Sequence, residues 1–132
     1  MNAKRILLSV VVIILITLAS CSSGPIEFGV LEGHVTIGPL IPVLREGEIP
    51  PTPSPEVYSA REIVVYEADG KTEFTRLQIE ETGFFHGELP VGTYVIDINR
   101  IGIDSADGLP REIEITSGEI IRLDIDIDTG IR

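Results

Sequence analysis

The chain has 132 residues, with 21 acidic side chains against 10 basic ones and a formal net charge of −11. Such a balance disfavours nucleic acid and anionic lipid surfaces as partners, because both repel a polyanion. One cysteine, Cys21, leaves no disulfide partner within the chain, and no tryptophan stands beside the three tyrosines and four phenylalanines to build sugar-stacking platforms.

Lys4 and Arg5 open the chain with positive charge, and residues 6–19 are then apolar except for Ser9 and Thr17. At ~1.5 Å per helical residue the run spans roughly 21 Å. A bilayer core of ~30 Å needs about 20 apolar residues, so the run is short for a spanning helix and right for the h-region of a signal peptide. Leu18-Ala19-Ser20-Cys21 follows. This stretch resembles the lipobox of bacterial lipoproteins, an aliphatic residue and two small residues before an obligatory cysteine. The resemblance implies that the Cys21 thiol becomes a diacylglyceryl thioether and that cleavage falls between Ser20 and Cys21. One acyl chain holds a protein to a membrane only marginally, and two or three hold it firmly. Ser22-Ser23-Gly24-Pro25 reads as a flexible tether, and Ser22 differs from the aspartate of an enteric inner-membrane retention signal. The expected organisation is a signal peptide over 1–20, a lipidated tether over 21–29 and one domain over 30–132. Cleavage removes Lys4 and Arg5 and takes the net charge from −11 to −13.

Beyond Cys21 no segment has helical periodicity, while strand signals recur between turn residues. Val30 to Ile37 reads as the first strand. A long loop over about 38–59 follows and holds six of the nine prolines. Proline donates nothing to a sheet ladder, so this loop is expected to be surface-lying and polyproline-like. Glu62 to Glu67 is the second strand, apolar on both parities, which leaves its inward face open. Asp69-Gly70 marks a hairpin turn, and Glu73 to Glu80 follows. Glu81-Thr82-Gly83 turns the chain into Phe84 to Leu89, and Pro90-Val91-Gly92-Thr93 turns it again into Tyr94 to Asn99. Glu112 to Ile115 and Ile120 to Asp128 complete the set. Seven short strands at near-regular spacing predict an all-β fold, a β-sandwich. Shared parity within strands predicts a core of Leu77, Ile79, Phe85, Leu89, Tyr94, Ile96, Ile98, Ile113, Ile115, Ile121, Leu123, Ile125 and Ile127.

The run Thr82-Gly83-Phe84-Phe85 with Leu89-Pro90-Val91-Gly92-Thr93-Tyr94 resembles a carboxypeptidase-regulatory-like domain. That group shares a transthyretin-like (prealbumin-like) sandwich with the Cna-B-type domains of surface proteins. The resemblance covers roughly Gly33 to Asp128 and implies a seven-stranded transthyretin-like sandwich. Tyr94 is placed to bury its ring while its hydroxyl reaches backbone near the preceding turn, as in a tyrosine corner. Cna-B-type domains often carry a Lys–Asn isopeptide bond, but Lys71 lies in a hairpin turn and Asn99 in an internal strand, so no such crosslink is expected. The chain ends Asp128-Thr129-Gly130-Ile131-Arg132, unlike the Tyr-Arg-Gly-Ser ending of the related hydroxyisourate hydrolases.

Candidate chemistry is sparse. His34 and His86 would need a third ligand to hold zinc, and Glu80 and Glu81, adjacent in a strand, point to opposite faces. Asp124, Asp126 and Asp128 alternate with isoleucines and are expected in water rather than in a calcium loop, since Gly130 falls at the wrong loop position. The one acidic cluster worth weighing is the loop 100–110. Asp104 and Asp107 there, with Asp97 on the strand that feeds it, supply either Asx turn caps or a weak Ca²⁺ site. No other cofactor is expected. The sequence therefore reads as an extracytoplasmic lipoprotein of the cell envelope, a non-catalytic binding or structural domain and not an enzyme. Its partners are the membrane, through the lipid, and a protein or carbohydrate ligand. The alternatives are a carbohydrate-binding or adhesion domain, a subunit of an envelope complex, or a small hydrolase.

The anchor is directly testable. Cys21→Ser should leave an uncleaved precursor that no longer incorporates labelled palmitate, and unchanged labelling of that variant would remove the lipobox reading.

Overall fold

The computed structural model describes residues 24–132, so the expected signal peptide and Cys21 lie outside the described residues. Strand β1 spans Phe28–Gly38 and is followed, after a long loop, by the single helical turn α1, Pro55–Ser59. The remaining strands are β2 Glu62–Glu67, β3 Glu73–Gln78, β4 Phe84–Pro90, β5 Gly92–Ile98, β6 Ser105–Ala106, β7 Arg111–Ile115, β8 Ile120–Arg122 and β9 Ile125–Asp128. They form two sheets. One runs β4-β1-β9-β6, with β8 also paired to β1, and the other runs β3-β2-β5-β7.

The expected all-β sandwich is what the chain builds, with several corrections. β1 begins at Phe28, two residues before the expected start. The stretch read as one last strand, Ile120 to Asp128, is two. β8 pairs in parallel with Val30–Glu32 and β9 in parallel with Val35–Gly38. Between them the Leu123 carbonyl passes so close to Gly33 that any Cβ there would collide with it. Leu123 N–H donates to the Glu32 carbonyl at 2.9 Å, and the His34 N–H turns to the Asp124 carboxylate at 2.9 Å. The ladder is thus interrupted without a change of register. A two-residue strand, β6, pairs with β9 from within the loop read as irregular.

The proline-rich loop also contains α1, which the sequence pattern did not show. Five residues are too few to display a 3.6 period. The turn is started by Pro55, whose fixed φ suits the first helical position, and it is tied down by Tyr58, which is buried in the core.

The core lies between the sheets. The expected inward residues are buried except Ile113 and Ile121, which are half-buried and pack against the cluster from its margin. β1 adds Leu31, Val35 and Ile37 on the inward parity, and Ala106 comes from β6. The ambiguity in β2 has a structural cause. Ile63 and Val65 face the core, and Val64 on the opposite parity is also buried, between its cross-strand neighbours Arg76 and Asp97. Cross-strand long side chains can cover an outward valine in this way.

The register places the two ends of the sandwich. Phe28, the β4–β5 turn, the 116–119 turn and the 68–72 hairpin share one end, as shown by Val91 N–H donating to the Glu27 carbonyl at 2.9 Å and Gly118 N–H to the Phe28 carbonyl at 2.9 Å. Gly38, residues 39–61, the 99–104 loop and residues 129–132 share the other, where Thr129 N–H donates to the Gly38 carbonyl at 3.0 Å.

Truncating buried large side chains leaves cavities that cost ~2–5 kcal/mol. Phe85→Ala and Ile127→Ala, both at 0% exposure, should each lower unfolding stability by that amount in urea titrations. Ile113→Ala, at the margin, should cost clearly less, and equal losses at all three sites would contradict this packing.

Candidate functional site

The chain's long loops converge at the end of the sandwich away from the N-terminal tether, and that end is built on one buried ion pair. Arg61, between α1 and β2, donates from Nε to Asp104 Oδ2 at 2.8 Å and from Nη2 to Asp104 Oδ1 at 3.2 Å. Its Nη1 donates to the Val57 carbonyl at 3.0 Å, which fastens the end of α1 as well. The two side chains are 11% and 3% exposed. A fork-to-fork arginine–carboxylate pair is the geometry in which a buried pair repays most of its desolvation. Asn99 closes the same region. Its Oδ1 accepts from Glu62 N–H at 2.6 Å and its Nδ2 donates to the Ala60 carbonyl at 3.2 Å.

Two of the three acidic residues weighed for Ca²⁺ are engaged by arginines. Asp104 is turned inward to Arg61. Asp97 is paired with Arg100 at 3.1 Å and accepts from Ile98 N–H at 2.9 Å. Asp107 is exposed and bonded to neither. Among the described residues no three histidine, cysteine, aspartate or glutamate side chains converge as a metal site would need. Sequence reasoning missed Arg61, because an arginine–aspartate pair 43 residues apart leaves no local pattern. The signal available was an arginine just before an apolar strand.

The histidines lie on the outer face of the first sheet. His34 Nε2 is 2.8 Å from the Thr82 carbonyl and so braces the β3–β4 turn. His86 stacks on Phe84 with ring centroids 5.7 Å apart, and its Nδ1 is 3.8 Å from Glu80. Gly33, His34, Phe84, Arg122 and Asp124 line a shallow depression of ≈ 290 Å³ on this face. A second, of ≈ 230 Å³, lies at the tether end between Glu67, Ala68, Phe74, Thr93 and Tyr94. Tyr94 behaves as the resemblance implied. Its ring is buried and its hydroxyl donates to the Pro90 carbonyl at 2.9 Å. Burial first, and the Glu67 charge second, push its pKa upward, so it stays a neutral donor. Lys71 is in the 68–72 hairpin and Asn99 at the opposite end, which rules out a bond between them geometrically.

No protein-family model matches the chain. No curated protein matches it either. Among solved structures it is similar to GBS52, the minor pilin of the Gram-positive Streptococcus agalactiae, with 13% identity, a TM-score of 0.53, and coverage of 78% of this chain and 45% of the pilin. The chain shares that protein's β-sandwich fold. Weaker likenesses join it to the TIE protein of Bacillus anthracis, with 13% identity, a TM-score of 0.49, and coverage of 77% of this chain and 16% of that one. A DUF3823 family protein from Parabacteroides merdae gives 12% identity, a TM-score of 0.43, and coverage of 78% and 47%. The chain spans less than half the length of each of these structures.

Removing one member of a buried pair strands the other charge and costs ~3–5 kcal/mol. Arg61→Ala and Asp104→Ala should each destabilise the domain by that amount in urea titrations, and the double variant should recover part of the loss. Strict additivity would mean that the pair is not coupled.

Four exposed carboxyls titrate below their usual range for local reasons, the first being Glu56, held down by a hydrogen bond from the Ser54 side chain. Asp69 is held down by the Thr72 hydroxyl and then by the Thr72 and Lys71 N–H groups, Glu73 by Arg76, and Asp128 by Arg132 and the Gly130 N–H. In the unfolded chain such groups titrate near ~4, so as pH falls the unfolded state takes up protons first. Their contribution is complete above the unfolded value and is lost as pH descends through the folded values. The urea midpoint should therefore fall on acidification below about pH 4, and Asp69→Asn should make that fall shallower.

Proposed function

We propose that this chain is a lipid-anchored, extracytoplasmic β-sandwich domain that works without catalysis, holding a protein-binding surface away from an envelope membrane. The observation that carries the reading is the division of labour between the two ends. The tether enters at Phe28, while the proline-rich loop and the 99–104 loop sit at the far end, roughly 30 Å away along β1 at ~3.3 Å per residue. Loops at one end of a sandwich are the usual place for recognition.

The chemistry of that far end favours a protein over a sugar. Its exposed large side chains are aliphatic: Val43 at 74%, Ile49 at 87% and Ile103 at 74%, with Leu44, Ile101 and Ile131 less so. Sugar platforms need aromatic faces, and none of the exposed phenylalanines is at this end. Exposed apolar clusters rimmed by charge are characteristic of protein–protein contact. Arg61, Asp104 and Asn99 then have a positioning role, since they hold the roots of both loops. The fold shared with a minor pilin supports a structural or adhesive use of the domain.

Pull-downs of the full chain from crosslinked membranes test this. A partner should be recovered with the unaltered chain and with Glu112→Lys, on the side of the sandwich, and lost with Val43→Asp combined with Ile49→Asp. Recovery unaffected by the loop changes would show that the far end is not the contact surface.

A further inference from the structure

The large exposed apolar side chains of this domain gather at its two ends, and the set at the tether end has a natural neighbour. Phe28 is 47% exposed, Ile26 72%, Val91 46% and Ile120 63%. They are assembled by backbone pairing. Phe28 is opposite Pro90, Val91 N–H donates to the Glu27 carbonyl at 2.9 Å, and Ile120 is opposite Val30 in the parallel pair of β1 and β8. Phe28, half-buried Val30 and Ile120 share the outward parity of the first sheet, and Ile26 lies exposed just before β1. None of these positions is apolar for the sake of the core, which lies on the other parity.

Five chain steps, across four intervening residues, separate Ile26 from Cys21. Even fully extended they reach at most ~18 Å, at 3.3–3.6 Å per residue. The domain is longer than that along β1, so a lipid on Cys21 holds this end, and not the other, against the membrane.

We propose that Ile26, Phe28, Val91 and Ile120 form a membrane-contacting foot that enters the interfacial layer of the bilayer carrying the Cys21 anchor. The proposal rests on the lipid-anchored reading above. Glu27, Glu88 and Glu119 are exposed on the same end. They form an acidic rim that anionic headgroups would repel, so the occupant is a zwitterionic lipid surface. The foot supplements the acyl chains by the same apolar burial. It also fixes orientation: with one end seated on lipid, the proline-rich and 99–104 loops point away from the membrane.

The test uses the processed full chain, purified from membranes and reconstituted into phosphatidylcholine vesicles containing nitroxide-labelled lipid. Ile120→Cys and Ile103→Cys each introduce one free thiol for a fluorophore, because lipidation consumes Cys21. Both sites are exposed, at 63% and 74%, so neither change disturbs the core. The expected result is several-fold stronger quenching at position 120 than at position 103, weakened when phosphatidylglycerol replaces half of the phosphatidylcholine. Equal quenching at the two positions in vesicle-bound, lipidated protein would overturn the foot and leave the anchor standing. Mass spectrometry that finds Cys21 unmodified would remove both.

Discussion

Strand β1 is the constraint on which the rest of the domain depends. It is paired on both sides, antiparallel to β4 and parallel to β8 and β9, and so joins the first part of the domain to the last. This is feasible because Gly29 and Gly33 stand on its inward parity. A side chain at Gly29 would run into the Thr116 carbonyl, and one at Gly33 into the Leu123 carbonyl. Without a Cβ, the backbone of the C-terminal segment can approach β1 closely enough to pair. The pinch at Gly33 breaks the C-terminal strand in two, and Asp124 takes up the His34 N–H that the ladder no longer serves.

The central position of β1 also gives the domain a direction. Because the chain enters at the start of this strand, one end of the sandwich is tied to the N-terminal segment and the other is free for loops. The tether end is closed by short turns, with the Tyr94 hydroxyl on Pro90 and the Asp69 carboxylate on Lys71 and Thr72. The loop end is held instead by longer-range bonds from Arg61 and Asn99. The side chains that finish the turns of one end bond close by in sequence, whereas at the other Arg61 and Asn99 bond to segments 37–43 residues away.

That difference explains what could be read in the residues alone. Turns of the tether end use Gly70 and Gly92 and the Asx chemistry of Asp69, which are local signals, and Tyr94 follows its turn by a fixed interval. The inward face of β9 was legible because isoleucine alternates with aspartate, and those of β3, β4 and β5 because most of their apolar residues share one parity, although Phe74, Phe84 and Val95 stand on the other. The inward face of β2 was not, since Val64 is buried on the outer face as completely as Ile63 and Val65 are on the inner one. At the loop end, Asp97, Asp104 and Asp107 look alike in sequence. One is buried against Arg61, one is paired with Arg100 on a strand, and one faces water.

The sequence by itself determined the all-β class, most strand limits and most of the core, because alternation of apolar and polar residues is imposed by the two-residue repeat of a strand wherever one face is wet. It also holds Leu18-Ala19-Ser20-Cys21, a local run that resembles a lipobox. Only the tertiary structure decided which strands are neighbours, that β1 is central, that the last strand is divided, and that Asp104 is a buried partner of Arg61. Each of these depends on contacts between segments distant in sequence, and local periodicity does not encode such contacts.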